Sequence, residues 1–405
     1  MISIKTNIPG RTSKRLLQKF QQLNGGWGKA APFIHSGKGE GCYFSDVDGN
    51  WYLDFASQIA SNPLGYNHPR LVRVLKKYKQ TPIKYAGQDF MTREHLALLE
   101  ELLSICKGMN AAFLINSGAE ANENAIKIAL RKKRTGKVGV SFESGFHGRT
   151  LGALSCTNAK KVQKAQYWTF PMHRLPFDNS MKEHFERLLE EDASAEDIGF
   201  VIVEPVQGEG GYNIAPEKMM KDLSLLCHKN NIPLIVDEVQ TGMGRSGKWW
   251  AHEHYSFRPG IITSAKALQV AAVISKRSMF PKEPGSISST WGGGHILDLA
   301  LGVETIRIIK EKKLLAYNAQ MGKYLLARLH ELNVMHPRGL GLMCAFDLEN
   351  TRVRDRFVQE AVKQGLVLLS CGHTSVRLIP PYIVTEKEID EAVRVLALVL
   401  KKGRG

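Results

Sequence analysis

Short apolar runs alternate with segments of helical periodicity along the middle of the chain. The run 111–115 is followed by the turn Asn116-Ser117-Gly118 and then by apolar positions with helical spacing through residue 131. Further apolar runs, separated by helical segments, cover residues 138–142, 198–203, 233–236 and 260–263. Because an uninterrupted apolar run is typical of a strand buried on both faces, this order predicts an α/β fold with a mostly parallel sheet covered on both sides.

The two ends of the chain have different patterns. Residues 42–44 and 51–53 flank the turn sequence Asp48-Gly49-Asn50 and predict a hairpin. Residues 296–332 read as a long helical tract, and a last helix is expected over residues 386–401. These end segments predict a second, smaller α+β unit.

The composition is that of a large folded protein. A chain of 405 residues, 43% of them hydrophobic, exceeds the usual size of one compact unit. No apolar run approaches the roughly 20 residues that cross a bilayer, and no secretory signal is recognisable, so we expect a cytoplasmic protein. The six cysteines lie far apart without a C-x-x-C pair, which argues against a disulfide framework or a zinc site and predicts buried thiols.

The charge balance is strongly basic, with a formal net charge of +16. The excess is scattered in short patches, without a long basic tract or interleaved aromatic residues. This pattern favours a solvated surface over a nucleic-acid face, and we expect neither nucleic acid nor a membrane as a partner.

Three apolar runs end on ionisable residues, namely Glu204, Asp237 and Lys266. Open α/β sheets bind their ligands just beyond the carboxyl ends of the strands, so these side chains converge if the strands are neighbours. An acid close to a lysine is also consistent with a structural salt bridge, and for one pair alone the two interpretations stay open.

Pyridoxal 5'-phosphate requires the groups that this arrangement offers: a lysine amine for its aldehyde, an anion for its ring nitrogen and backbone donors for its phosphate. Lys266 would bond covalently to the aldehyde, and Asp237 would keep the ring nitrogen protonated. The segment Ser117-Gly118-Ala119 opens a helix after a strand and would bind the phosphate, although an ordinary helix cap has the same local sequence. Phe146 could stack on the ring and Gln240 could reach its hydroxyl, or either could be simple packing.

Five segments resemble the signature set of class III aminotransferases: 116–123 (NSGAEANE), 146–150 (FHGRT), 203–211 (VEPVQGEGG), 237–242 (DEVQTG) and 264–267 (SAKA). The resemblance implies fold type I, with a large cofactor domain over residues 55–294 and a small domain built from residues 1–54 and 295–405. It also implies a homodimer with shared active sites, in which Thr290 reaches the phosphate of the partner's cofactor. The cofactor-binding residues then predicted are Ser117, Gly118, Ala119, Phe146, His147, Glu204, Asp237, Val239, Gln240, Lys266 and Thr290.

The later part of the chain is similar to the lysine 6-aminotransferase subgroup in segments 289–293 (STWGG), 338–346 (RGLGLMCAF) and 376–381 (VRLIPP). Gln269 stands where many relatives have glycine, and Gly294-His295 replaces the asparagine that usually follows the glycine pair. The resemblance favours transfer of the ε-amino group of lysine to 2-oxoglutarate, which gives a semialdehyde and glutamate.

The same resemblance implies how one pocket accepts two different substrates. Glu209 would pair with Arg377 while an ω-amine donor is bound, and would then move aside so that Arg377 binds the α-carboxylate of 2-oxoglutarate through two hydrogen bonds. Arg149 would hold the far carboxylate. The catalytic set implied is Lys266, Asp237 and Glu209, with Lys266 also moving the proton between carbon atoms.

Several alternatives remain open or are weakened by particular residues. The donor could instead be 4-aminobutyrate, ornithine or acetylornithine, and a racemase would use the same lysine and electron sink. Residues 242–248 fit the P-loop pattern G-x-x-x-x-G-K, but Trp249 stands where a Ser or Thr must hold magnesium. His252 and His254 are too close in sequence to share a helix face as metal ligands, and we expect surface histidines and no metal site.

Overall fold

The computed structural model describes residues 1–25, 31–80, 89–289 and 293–403. The chain forms two compact units, one made of Met1–Val72 with Gln320–Gly405 and the other of Arg73–Ala319. The sequence-based boundaries at residues 54 and 294 lie earlier than these. Residues 55–63 join the first unit because Ile379 N donates to Phe55 O over 2.8 Å and Tyr382 N donates to Pro63 O over 2.7 Å.

Helices in the described part of the chain are spread over its whole length. In chain order they are α1 (Arg11–Leu23), α2 (Ser57–Ala60, a single left-handed turn whose four residues all have positive φ), α3 (Pro69–Lys77), α4 (Arg93–Ser104), α5 (Gly118–Lys132), α6 (Leu151–Cys156), α7 (Met181–Arg187), α8 (Glu217–Lys229), α9 (Ile296–Glu311), α10 (Leu314–Glu331), α11 (Thr351–Lys363) and α12 (Glu386–Gly403).

The strands are short, as expected for the predicted sheet. In chain order they are β1 (His35–Glu40), β2 (Tyr43–Asp46), β3 (Trp51–Asp54), β4 (Ala111–Ile115), β5 (Val138–Phe142), β6 (Met172–Leu175), β7 (Ile198–Val203), β8 (Val206–Gln207), β9 (Asn213–Ile214), β10 (Leu234–Asp237), β11 (Ile261–Ser264), β12 (Ala271–Ser275), β13 (Met335–Gly339), β14 (Cys344–Asp347), β15 (Leu366–Val367), β16 (Leu369–Cys371) and β17 (Ser375–Leu378).

The second unit contains a seven-stranded sheet in the order β4-β12-β11-β10-β7-β5-β6. The pairs β11/β10, β10/β7, β7/β5 and β5/β6 are parallel, whereas β12 is antiparallel to both of its neighbours. The predicted mostly parallel α/β sheet is confirmed. Strand β12, which the sequence analysis does not identify, separates β4 from β11, and its two antiparallel pairings give β4 the direction of the parallel strands.

Both faces of this sheet are covered. Successive side chains of a strand point to opposite faces, so neighbouring residues of one strand enter different buried clusters. On one face, Val203 and Val236 pack with Met219 and Leu223 of α8 in one buried cluster. On the other face, Ile202 and Ile235 belong to a second buried cluster together with alanine and isoleucine side chains of α5. The continuous apolar runs of the sequence therefore follow from burial on both sides.

The first unit contains two four-stranded sheets, β1-β2-β3-β15 and β13-β14-β17-β16. The predicted hairpin is present as the antiparallel pair β2/β3, with Tyr43 opposite Leu53. Its turn is stabilised by Asp46, whose Oδ1 accepts from the main-chain nitrogens of Asp48 and Asn50, each over 2.9 Å.

Two other sequence-based expectations have clear outcomes. The helical tract 296–332 is not continuous, because α9 and α10 are separated at Lys313, whose φ of 52° is incompatible with a right-handed helix. All six cysteines are buried free thiols, as predicted. In the residues that the structure describes, no helix is both long and apolar enough to cross a membrane.

Candidate active site

The carboxyl ends of three neighbouring parallel strands bring the predicted ionisable residues to one edge of the sheet. Asp237 ends β10 and pairs in register with Thr263 of β11, while Val236 pairs with Val203 of β7. Glu204 directly follows β7, and Lys266 lies two residues beyond the end of β11. The convergence that the sequence predicted is therefore present.

Asp237 is held rigidly by three hydrogen bonds. Its Oδ2 atom accepts from Asn122 Nδ2 over 2.8 Å and lies 2.8 Å from His147 Nδ1, and its Oδ1 atom accepts from Val239 N over 3.0 Å. The carboxyl group is 4% exposed. A carboxylate has about four acceptor positions, so among the residues that the structure describes one position, on Oδ1, remains for a further donor.

Asn122 connects this carboxylate to the neighbouring strand and loop. Its Oδ1 atom accepts from Thr263 Oγ1 over 2.8 Å, and its Nδ2 atom also donates to His147 O over 2.6 Å. Asn122 and Thr263 were assigned no role from the sequence. The signal that could have indicated Asn122 is a polar residue on the face of α5 that the helical pattern turns toward the sheet.

Gln240 presents a buried acceptor that no described residue satisfies. Its Oε1 atom is inaccessible to solvent and has no hydrogen-bond partner in the described part of the protein. A Cβ atom added to Gly208 would lie 2.9 Å from this oxygen, so the amide tip lies against the Gly208 backbone. A buried unsatisfied acceptor costs about 1–3 kcal/mol, which a ligand donor would offset.

The turn between β4 and α5 has the geometry of a helix N-terminus. Ser117 is the N-cap and its Oγ accepts from Glu120 N over 3.2 Å. The amide groups of Gly118 and Ala119 belong to the first helical turn, whose donors have no partner within the helix. A Cβ at position 118 would lie 2.8 Å from Val239 Cγ1, so a side chain at this position would clash with Val239.

Lys266 begins a short turn with a left-handed backbone conformation, at φ 51°. For a residue with a side chain, this conformation costs on the order of 1–3 kcal/mol and persists where the surroundings impose it. The lysine is half-buried. Gln269 ends the same turn at φ 71°, the region that favours glycine, and its side chain donates over 3.4 Å to Lys266 O and Ala267 O.

Glu204 is fully buried and connects two loops. Its Oε1 atom accepts from Phe146 N and its Oε2 atom accepts from Gly208 N, each over 2.9 Å. Burial raises the pKa of Glu204 to about 7, against the opposing effects of His147 and of the two backbone donors. Its predicted contact with a cofactor stays a prediction, since the observed bonds position the Phe146 and Gly208 main chains.

The loop 146–150 lies beside the start of α5. Gly148 has a φ of 137°, and a Cβ there would lie 2.8 Å from Ala119 Cβ, so the loop approaches the helix closely. His147 N donates to Thr157 Oγ1 over 2.9 Å. Phe146 is half-buried and Arg149 is exposed. Their predicted roles in stacking and in carboxylate binding stay predictions.

Glu238 belongs to a buried network that the sequence analysis missed. Its Oε1 atom accepts from His252 N over 2.7 Å and lies 3.0 Å from His252 Nδ1. Its Oε2 atom accepts from Ala251 N over 3.0 Å and from the hydroxyl of Thr241. The expectation that His252 lies at the surface is wrong, because this histidine is only 9% exposed and fixes the loop after β10.

The remaining predicted residues are Glu209, Arg377 and Thr290. Glu209 is 20% exposed, and its Oε2 atom lies 3.4 Å from Lys160 Nζ. Arg377 lies in the first unit on β17, paired with Ala345 and Leu369, and is 3% exposed. Thr290 lies outside the described residues. Among the residues that the structure describes, no group of three or more His, Cys, Asp or Glu side chains could hold a metal ion.

A lysine, a buried carboxylate and a helix N-terminus at one edge of a parallel sheet are what a pyridoxal-phosphate enzyme requires. Residues 27–400 match the family described as aminotransferase class III, and the chain belongs to this family. It is a pyridoxal-phosphate-dependent aminotransferase. The residues present fit the cofactor, since Asp237 has an acceptor position left and Gln240 has a buried unsatisfied oxygen.

Named relatives agree on the class of reaction and differ in the amino donor. The chain is 38% identical to the acetylornithine aminotransferase of Archaeoglobus fulgidus, over 89% of this chain and 93% of that protein. It is 32% identical to the mitochondrial 4-aminobutyrate aminotransferase of Sus scrofa, over 94% and 87%. The solved structure of lysine aminotransferase from M. tuberculosis matches with a TM-score of 0.91 at 27% identity, covering 96% of this chain and 99% of that one.

Proposed function

We propose that this aminotransferase moves the terminal amino group of lysine to 2-oxoglutarate and so produces a semialdehyde and glutamate. The observation that carries the proposal is the similarity over nearly the whole chain to a lysine aminotransferase structure, with a TM-score of 0.91. The lysine-type segments 338–346 and 376–381 and the residue Gln269 support the same donor. The keto acid follows from the resemblance to this subgroup.

Each chemical task of the proposed mechanism is assigned to a residue of this chain. Lys266 would supply the amine that holds the cofactor, and its Nζ would act as the base that removes and returns the proton at the substrate carbon. The bound cofactor supplies a ring that accepts the electrons left on the substrate carbon when its proton is removed. Asp237 would direct its charge at the ring nitrogen through Oδ1, because Asn122 and His147 occupy Oδ2 and fix the orientation of the carboxylate.

The phosphate would be bound by main-chain donors rather than by a cluster of cations. The amides of Gly118 and Ala119 belong to the first turn of the 15-residue helix α5, where the helix dipole favours an anion. Ser117 can donate its hydroxyl hydrogen while its oxygen accepts from Glu120. This arrangement holds the phosphate close to the sheet edge that carries Asp237 and Lys266.

A homodimer is part of the proposal. Several large apolar side chains of the second unit are exposed, including Tyr167, Trp168 and Phe170 on the segment before β6, with Trp168 92% exposed. Contiguous exposed apolar groups of this kind mark protein contacts. A second copy of the chain, as the family resemblance implies, would cover them.

Acetylornithine is the second candidate donor. The observation in its favour is the identity of 38% to an acetylornithine aminotransferase, which exceeds the 27% identity to the lysine enzyme. Both donors present a terminal amine on a chain of similar length and differ in whether the α-amine is charged. The two candidate donors would therefore undergo the same reaction and differ in the charge of the substrate.

A panel of donors assayed with 2-oxoglutarate tests the proposal. The donors are lysine, ornithine, N-acetylornithine and 4-aminobutyrate, and the measurement is kcat/KM for glutamate formation. We expect lysine to have the highest value, by about tenfold or more, since one well-placed charged contact contributes about 1.4 kcal/mol. A higher kcat/KM for N-acetylornithine would show that acetylornithine, not lysine, is the preferred donor. If none of the four ω-amines gave glutamate, the proposal that the donor is an ω-amine would be contradicted.

Replacing Glu209 by glutamine is expected to affect the two half-reactions unequally. By resemblance to the family, Glu209, whose side chain is 20% exposed, would neutralise Arg377 while lysine is bound and would move aside for glutamate, so its charge matters mainly for the ω-amine donor. The half-reaction with lysine should slow by about tenfold or more, while that with glutamate changes by less than about threefold. Stopped-flow rates of the separate half-reactions measure both values.

The matched control for this variant is Glu190→Gln, which removes the same charge from an exposed position of the same unit. Both half-reactions should keep their rates in the control. Equal losses of the two rates in Glu209→Gln would contradict a role for Glu209 in distinguishing the substrates.

A further inference from the structure

A cavity lies at the amino-terminal ends of the parallel strands of the large sheet, whereas the candidate active site lies at their carboxyl ends. It has a volume of about 480 Å³ and is lined by residues just before β4, β10 and β11 and just after the antiparallel strand β12. Because the parallel strands begin at this edge, the cavity is separated from Asp237 and Lys266 by the length of the strands. None of the proposed catalytic or cofactor residues lines it.

The charged side chains that line this cavity are all basic. The five lysine and arginine residues of its lining are Lys107, Lys132, Lys133, Arg258 and Lys276. His228 is also part of the lining, and the described lining residues include no Asp or Glu. We call this site, defined by these six residues, the basic cavity.

The sheet topology explains why cations distant in sequence meet here. The order β4-β12-β11-β10 places the beginnings of β4, β11 and β10 and the end of β12 side by side. Ser275, the last residue of β12, donates its hydroxyl to Gly260 O over 2.7 Å, which brings Lys276 next to the start of β11. Arg258 Nη1 lies 3.9 Å from the position that a Cβ of Gly108 would occupy, next to Lys107.

Four of these cations have no salt bridge to any residue that the structure describes. In the described part of the protein, Lys107, Lys132, Arg258 and Lys276 are exposed, and none of their side chains forms an ion pair. Lys133 differs, because it is 5% exposed, donates to Asn230 O and Asn231 O over 3.4 and 3.3 Å, and lies 3.5 Å from Glu196 Oε1. The basic cavity thus combines one anchored, buried cation with four exposed ones.

We propose that the basic cavity binds a nucleotide-sized organic anion that carries two or more phosphate groups. The volume lies within the range of small-molecule sites, about 300–1,000 Å³, and exceeds the space that a single inorganic anion needs. A guanidinium binds phosphate through two parallel hydrogen bonds and lysines add point charges, so a polyphosphate neutralises the cluster better than one carboxylate. Apolar side chains of the lining, such as Met109, Leu225 and Met279, would contact the organic part.

ATP is a suitable probe of this site in the holoenzyme. We measure its affinity by isothermal titration calorimetry for the wild-type protein and for the double variant Arg258→Gln/Lys276→Gln. Both residues are exposed, so the substitutions leave the core intact. We expect the affinity for ATP to fall by about tenfold or more, because the variant removes two cations that would each form a charge-assisted hydrogen bond to phosphate.

The matched control separates a specific site from the general attraction of a chain with a net charge of +16. Lys127→Gln/Lys221→Gln removes the same charge from exposed positions of α5 and α8 outside the cavity lining. Its affinity should stay within about twofold of the wild type, since neither lysine lines the cavity. Inorganic triphosphate should bind more weakly than ATP in the wild type.

Four results would overturn the proposal. They are no ATP binding, an equal loss of affinity in both double variants, triphosphate binding as tight as ATP binding, and loss of the visible cofactor absorption on addition of ATP. The last result would place the ATP at the active site instead.

Discussion

Replacement of Lys266 by alanine is expected to abolish transamination while the protein stays folded. The proposed mechanism gives this amine two tasks, the covalent bond to the cofactor and the transfer of a proton, and general acid–base catalysis alone contributes about 10²–10⁴-fold. We expect kcat to fall by about 10⁴-fold or more. The strained φ of 51° at Lys266 is consistent with a residue that the fold places for function rather than for stability.

The measurement combines kcat with the visible absorption of the purified protein. Lys266→Ala should lose the covalently bound cofactor, so that dialysis removes the colour, and its far-ultraviolet circular dichroism should match the wild type. Lys282→Ala, at an exposed lysine of the same unit, is the control and should keep colour and activity. A coloured Lys266→Ala protein with wild-type turnover would refute the assignment.

Replacement of Asp237 by asparagine is expected to reduce kcat by about 10³-fold without preventing cofactor binding. The change keeps the size of the side chain and removes the negative charge that stabilises a protonated ring nitrogen. Removal of one preorganised electrostatic partner from a buried site costs about 10²–10³-fold in rate, and a full charge at 4% exposure lies at the upper end of this range. Cofactor content by absorption and kcat under saturating substrates test both parts.

Glu238 provides the contrast for this prediction because it is the neighbouring buried acid and has only structural contacts. Its carboxylate accepts from Thr241, Ala251 and His252, so Glu238→Gln leaves buried donors mispaired and should lower the thermal midpoint. Its effect on kcat should be much smaller than that of Asp237→Asn. An Asp237→Asn enzyme with wild-type kcat would contradict the role of its charge.

The arrangement of the large sheet could be predicted where local pattern and topology agree. The runs 138–142 and 198–203 coincide with β5 and β7, because strands buried on both faces leave a continuous apolar signature. Strand β12 was not identified from the sequence. It returns antiparallel to β11 after a short turn, so no helical segment between the two strands marks it as a separate strand. Its insertion between β4 and β11 depends on pairing between distant segments, which periodicity does not encode.

The candidate site also has features that the sequence predicts and features that it does not. The convergence of Glu204, Asp237 and Lys266 could be predicted because carboxyl ends of parallel strands share one edge. The hydrogen bonds from Asn122 and His147 to Asp237 could not, because they depend on register and side-chain rotamers across 115 and 90 residues of sequence. The basic cavity was also hidden, since its cations are scattered from residue 107 to residue 276.

Peptide mapping of the wild-type holoenzyme after borohydride reduction tests the central assignment most directly, because reduction fixes the cofactor permanently to the lysine that holds it. Mass spectrometry of the proteolytic peptides should find the added cofactor mass on Lys266, in one equivalent per chain. Modification of a different lysine, with Lys266 unmodified, would contradict the assignment on which the proposed mechanism depends.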